Sequence, residues 1–196
     1  MQRRAVLAAV PALAASTLIP GLAKAQPAPA APAAAPALTP EGERLQKFLD
    51  GRQVASNWRA GQAVDWKTGA PDRSRNAAKP PATHAATFVA AVATLLGVPV
   101  LSPPAEDLDA LPAKLPGWLS GPGAAAGWRP VAEIAEAQRL ANTGELVVAV
   151  MDGGMGILRP AARSAPALVM AGRTNNAAAP LGSASARFFA HKVAWM

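Results

Sequence analysis

The sequence predicts an α+β domain in which N-terminal helices pack on a mainly antiparallel sheet. Two observations predict it. Apolar residues recur at three- and four-residue steps in segments near 83–96 and 130–142, the spacing of one helix face. Short apolar runs then follow at 145–151, 155–159, 167–171 and 187–193, each of strand length and bounded by turn residues. Helices come first and strands afterwards, which is the α+β order.

Taken along the chain, residues 1–25 read as an export signal. Arg3 and Arg4 precede an alanine-rich apolar stretch, and Ala23-Lys24-Ala25 offers a small-x-small cleavage site before Gln26. The arginine pair fits a twin-arginine signal; Sec-type export is the alternative, because Gln2 stands where serine or threonine is usual. A membrane anchor fits less well, since Pro11 and Pro20 break the stretch. Residues 26–40 form a proline- and alanine-rich linker that cannot build a core. Residues 41–196 are then a comfortable size for a single domain.

Within that domain, Thr39 is placed to cap a short helix, with Pro40 in its first turn and Glu41 and Glu43 at its positive end. Residues 51–72 read as loop, as do 73–81. The helix from Thr83 to Leu96 presents Phe88, Val92 and Leu95, and Gly97 stops it. The proline- and glycine-rich segment 102–127 reads as loop with one helical turn near Ala105–Leu111. A second helix over Pro130–Asn142 groups Ile134, Ala137, Leu140 and Ala141 on one side.

Charge and cysteine content exclude several functions. The formal charge of +7 falls to +4 once Arg3, Arg4 and Lys24 leave with the signal. That excess suits solubility and makes no case for nucleic acid; membrane contact would be peripheral at most. There are no cysteines, so disulfides, thiolate metal sites and thiol nucleophiles are all excluded.

Three segments carry a family resemblance. Thr83-His84-Ala85-Ala86-Thr87-Phe88-Val89, running on to Leu96-Gly97-Val98-Pro99, resembles the nucleophile helix of NlpC-type, papain-like cell-wall endopeptidases and amidases, which opens Asp-Cys-Ser-Gly-Phe-Val. Gly144-Glu145-Leu146-Val147-Val148 resembles that family's Gly-Asp-Leu-Val-Phe strand, and Gly154-Met155-Gly156-Ile157-Leu158 its His-Val-Gly-Ile-Tyr strand. The pieces occur in the family's order. The resemblance implies a papain-like scaffold without its chemistry. It puts Ala85 at the cysteine position and Gly154 at the histidine position, and neither a methyl group nor a hydrogen can attack an amide or accept a proton. Ala85 and Gly154 are then degenerate catalytic positions, with His84, Ala86, Thr87 and Gly156 as cleft lining.

Other constellations are weaker. Serines 102, 120, 164, 183 and 185 lie in predicted loops without a nucleophile elbow. Thr87 and His84 share a helix face three residues apart, but capping and packing explain them as well. The two histidines, His84 and His191, have no metal-ligand spacing. Gly153-Gly154-Met155-Gly156 lacks the Lys-Ser/Thr pair of a phosphate loop. Of five tryptophans, Trp58 and Trp66 sit in a polar loop beside Arg52, Arg59 and Lys67 and are the groove candidates; core packing accounts for the others.

These observations describe a non-catalytic periplasmic domain, with no cofactor and no metal, that binds a peptidoglycan stem peptide, a glycan or a protein partner. The alternative is a structural accessory subunit of a larger periplasmic complex. Export is open to direct test. N-terminal sequencing of the periplasmic fraction should begin at or near Gln26, and replacing Arg3-Arg4 by Lys-Lys should block export through the twin-arginine route; an unchanged yield would assign the signal to Sec.

Overall fold

Thr39 opens the first helix as expected. Its Oγ1 accepts from the Gly42 N–H at 3.2 Å, and Pro40 occupies the first helical position of α1 (Pro40–Asp50). The computed structural model describes residues 37–73, 83–102, 107–162, 165–172, 174–181 and 185–195, all within one compact unit, Ala34–Met196. The expected signal, the linker up to residue 36, the loop at 74–82, Ala105, Glu106, Ser164 and Ser183 lie outside the described residues.

Helix α2 (Ala85–Leu95) is buried continuously from Ala85 to Ala93. Its sequence is apolar all round, and a helix of that kind belongs inside a core. The N-cap residue is His84, whose side chain does not cap; Thr83 stands one position earlier than a cap, and its hydroxyl accepts from the Ala85 N–H at 3.3 Å. Gly97, at φ +69°, ends it in the left-handed conformation that glycine adopts without steric cost.

The next segment departs from expectation. In place of a loop, α3 (Leu111–Ser120) and the single turn α4 (Pro122–Ala125) follow. Pro112 lies in the first turn of α3, where its missing N–H costs nothing, while Pro116 sits inside and forfeits one bond. Leu111, Leu115 and Leu119, four residues apart and all buried, offset that loss. The helix expected over Pro130–Asn142 is also shorter. Residues Arg129–Val131 are extended as β1, Glu133 is extended at φ −103°, ψ 134°, and α5 runs only over Ile134–Asn142. Pro130 therefore sits on a short edge strand instead of starting a helix, a place where a residue without an N–H is tolerated.

The strands β2 (Leu146–Met151), β3 (Gly154–Leu158), β4 (Ala167–Met170) and β6 (Ala186–His191) match the four apolar runs to within two residues. A further strand, β5 (Asn176–Pro180), alternates exposed and half-buried residues. Together they form one six-stranded antiparallel sheet in the order β1-β6-β2-β3-β4-β5. An α+β architecture with a mainly antiparallel sheet is thus what the chain builds.

Central strand β2 sorts its side chains by parity. Leu146, Val148 and Val150 join Met155, Ile157, Val169 and Phe189 in the core shared with α1, α2 and α3. Val147 and Ala149 join Leu158, Leu168, Phe188 and Ala190 in a second core under α5. With a layer on each face, β2 has no side to give to water, which is why its sequence is a continuous apolar run. Each large side chain so buried contributes about 1.5–3 kcal/mol. Among the described residues, no helix is long and apolar enough to cross a membrane.

Asn142, fully buried at the end of α5, joins three parts of the chain. Its Oδ1 accepts from Gln138 Nε2 at 2.8 Å and from the Ala161 N–H at 3.0 Å, while its Nδ2 donates to the Ala161 carbonyl at 3.1 Å. Its own carbonyl accepts from the Thr39 N–H at 3.0 Å and from the Thr39 hydroxyl at 3.2 Å. At the other end of α1, the Arg159 guanidinium pairs with the Asp50 carboxylate. Replacing Asn142 by alanine strands the half-buried N–H and carbonyl of Ala161 and removes the acceptor of the buried Gln138 amide. We expect the urea-unfolding free energy to fall by about 2–3 kcal/mol with an unchanged m-value; a loss below about 0.5 kcal/mol would show that the carboxamide does not hold this junction.

Candidate functional site

At the N-terminus of α2, the chain leaves an apolar cavity of about 260 Å³. Three elements wall it. The start of α2 supplies Thr83, Ala85 and Ala86; α3 supplies Pro112 and Pro116; the β2–β3 hairpin supplies Val150 through Met155 apart from Asp152. The sequence dictates the space. Alanines at the first helical positions leave no side chain to fill it, and glycines at 153 and 154 do the same from the hairpin. Gly153, at φ +82°, makes the tight turn.

Ala85 and Gly154, the two degenerate catalytic positions, thus border one cavity, and Ala86 borders it with them. A Cβ built on Gly154 meets nothing within 4 Å. In the antiparallel register Gly154 stands opposite Met151, and Met155 opposite Val150. Residues opposite each other share a face, so Val150 and Met155 point to the α2 side with the first core. A side chain at 154 would leave the strand on the opposite side with Met151, the face of the second core, so Gly154 borders the cavity by its backbone and does not direct a side chain toward Ala85.

Several expected lining residues lie elsewhere. Gly156 is one position too far along β3: its Cβ would meet Met170 Cγ at 2.9 Å and the Val169 carbonyl at 3.0 Å. It is a glycine because β4 packs against it. Thr87 is buried in the first turn of α2, and its hydroxyl has no hydrogen-bond partner among the described residues. His84 points away from the cavity rim into the core. Its Nε2 lies 2.8 Å from the Gln62 carbonyl, to which it donates, and its ring meets the edge of Trp58 at 6.2 Å.

Trp58 is a core residue, not a groove wall. Its indole is fully buried, meets Phe88 edge-on at 5.2 Å and presses against Gly69, leaving no room there for a Cβ. Loop polarity concealed this, because Arg59 and Lys67 are exposed and Arg52 lies over the Phe48 ring, while the indole among them is buried. Trp66 is half-buried against the first core, with the Lys67 ammonium 5.6 Å from its ring. It borders none of the cavities described here. Of the remaining tryptophans, Trp128 donates to the Pro99 carbonyl at 2.7 Å and Trp195 to the Gly144 carbonyl at 2.9 Å, as anchors. Asn175 is tied by its Nδ2 to the Asn57 carbonyl.

Sequence reasoning missed the α3 wall. Pro112 and Pro116 were read as loop residues, and the four-residue spacing of Leu111, Leu115 and Leu119 was the available signal. Among the described residues that border the cavity no side chain ionises, and the hydroxyl there, that of Thr83, is engaged by the Ala85 N–H. Among the described residues, no group of three His, Cys, Asp or Glu is placed to hold a metal ion. Compared with known proteins, the chain matches no family model and no curated sequence.

Burial holds the His84 pKa below its ordinary value of 6.5, because the charged ring would lose its hydration; the Gln62 and Arg59 carbonyls oppose this in part. The unfolded chain therefore binds the proton more tightly than the folded one. Stability is complete above pH 6.5 and declines as the pH falls below it. Unfolding free energies measured from pH 7.5 downward, an interval chosen to span about one unit above the histidine range, should show this decline. In a His84→Gln variant the decline should be shallower; an equal slope would assign it to other groups.

Proposed function

We propose that this protein is a non-catalytic exported domain, acting in the periplasm, on a papain-like scaffold of the NlpC type, and that it binds a peptide or glycan stem in the cavity at the start of α2. One observation carries the reading: Ala85 and Gly154, where the resemblance places the nucleophile and the base, border the same cavity although 68 intervening residues separate them. A helix N-terminus lying against a strand hairpin supports it, because amide-cleaving thiol enzymes draw nucleophile and base from two such elements, although residue 154 itself directs its side chain to the Met151 face. With alanine and glycine at these positions, the cavity keeps shape and loses reactivity. Binding and catalysis use separable residues, so a recognition role survives the loss.

A restoration experiment tests the proposal. Ala85→Cys places a thiol at a helix N-terminus, where the dipole favours the thiolate. Gly154→His meets open space and requires no left-handed backbone. The double variant tests whether an imidazole at 154, leaving the strand on the Met151 side, still reaches a thiol at 85. Slow hydrolysis of a peptidoglycan stem peptide by it, with none by either single variant or the wild type, supports the reading; no hydrolysis by it removes Gly154 from the site. Cleavage by the wild-type protein that disappears in Thr87→Val or His84→Gln would overturn the reading in favour of an enzyme of different design.

A further inference from the structure

We infer that the α2 cavity continues past Val150 into a charged recess, and that the two together hold a small apolar molecule whose head carries an ammonium and a carboxylate on one carbon. The inference rests on the reading that the cavity binds a ligand, and it names the chemistry of that ligand.

The strand register puts the two hollows side by side. Val150 and Met151 border the α2 cavity and also a second recess of about 190 Å³, whose remaining walls are Asp152, Ser185 and Arg187. Arg187 on β6 stands opposite Val150 on β2, and residues so paired have Cβ atoms about 4.5–5.5 Å apart on one face. That face is the α2 side of the sheet. Arg187 lies two residues before Phe189, which joins Val150 and Met155 in the first core. Pairing ends at Met151 opposite Ala186, and the chain leaves the two strands at Asp152 and Ser185. The recess therefore opens at the end of the sheet, next to the cavity.

Its charges select the occupant. Arg187 and Asp152 are exposed and border the same recess, yet neither forms an ion pair with the other or with another described residue. A lone anion there is drawn by Arg187 and repelled by Asp152; a lone cation meets the reverse. A molecule with both charges gains at both ends. The guanidinium takes its carboxylate in two parallel hydrogen bonds, and Asp152 accepts from its ammonium. Such an arrangement discriminates against ligands of a single charge. The adjoining cavity is walled by alanine, proline and methionine and takes the apolar body. At about 260 and 190 Å³, cavity and recess are each smaller than the roughly 300 Å³ at which sites for drug-sized ligands begin, so the occupant is of amino-acid size. The same head occurs on a free amino acid and on a peptide joined through a side-chain carboxyl.

The test is a titration of the full-length protein, followed by NMR, with leucine and three compounds that each lack one part of it. 4-Methylpentanoate lacks the ammonium, isopentylamine the carboxylate, and glycine the apolar body. Leucine should bind at least about threefold more tightly than each. Asp152→Asn should weaken leucine and tighten 4-methylpentanoate, while Arg187→Gln should weaken leucine and tighten isopentylamine. A γ-glutamyl tripeptide carries the head on a peptide; binding by it or by leucine supports the inference, and the tighter of the two names the source. If 4-methylpentanoate or isopentylamine binds as tightly as leucine, the inference falls and the cavity remains a binding site. If glycine matches leucine, the inference falls together with the cavity. Titrations that move no resonance of Val150, Asp152 or Arg187 would also overturn it.

Discussion

Strand β2 sets the terms for the rest of the fold. It is apolar at all six positions, and no single helical layer can dry both of its faces. Helices must therefore cover the sheet on each side, and the chain supplies α2 and α3 for one face and α5 for the other. The cavity at Ala85 is a by-product of that requirement. The α2 N-terminus is brought over the β2–β3 hairpin because the body of α2 must lie on Met155 and Ile157. Asn142 then closes the construction, tying the end of α5 to the start of α1 and to the segment after β3. A polar group at full burial is tolerated there because both ends of its carboxamide are bonded.

Elements whose pattern comes from one dominant cause were legible in the sequence. α2 and the strands β2, β3, β4 and β6 declare themselves by apolar runs of the right length. Elements in which two causes compete were not. In α3, proline argued for loop while leucines four apart argued for helix, and packing decided for helix. At Pro130, the same residue suits a helix start or a strand edge, and only pairing with β6 selects the second. β5 is Asn-Ala-Ala-Ala-Pro, without the β-branched or aromatic residues that mark strands; its place comes from the edge of β4.

The candidate site divides in the same way. Ala85, Ala86 and Gly154 were found through local motifs, and the structure brings them to one cavity. Gly156 was assigned by proximity in sequence, and strand alternation alone was not enough to reveal that β4 crowds it. The loop's polar residues point to a groove role for Trp58, and the place beside Ala85 points to one for His84, although burial is decided by neighbours in space. The hairpin wall at Met151 and Met155 needed the register of β2 against β3, which no single segment encodes.

The Trp58 loop has a consequence for how this chain can vary. Trp58 holds a left-handed backbone at φ +61°, and Gly69 at φ +73° lies flat against its indole. A Cβ at 69 would stand 2.0 Å from the indole nitrogen. The two positions are coupled: a side chain at 69 and the indole at 58 exclude each other. That coupling places on a surface loop the packing constraint of a core.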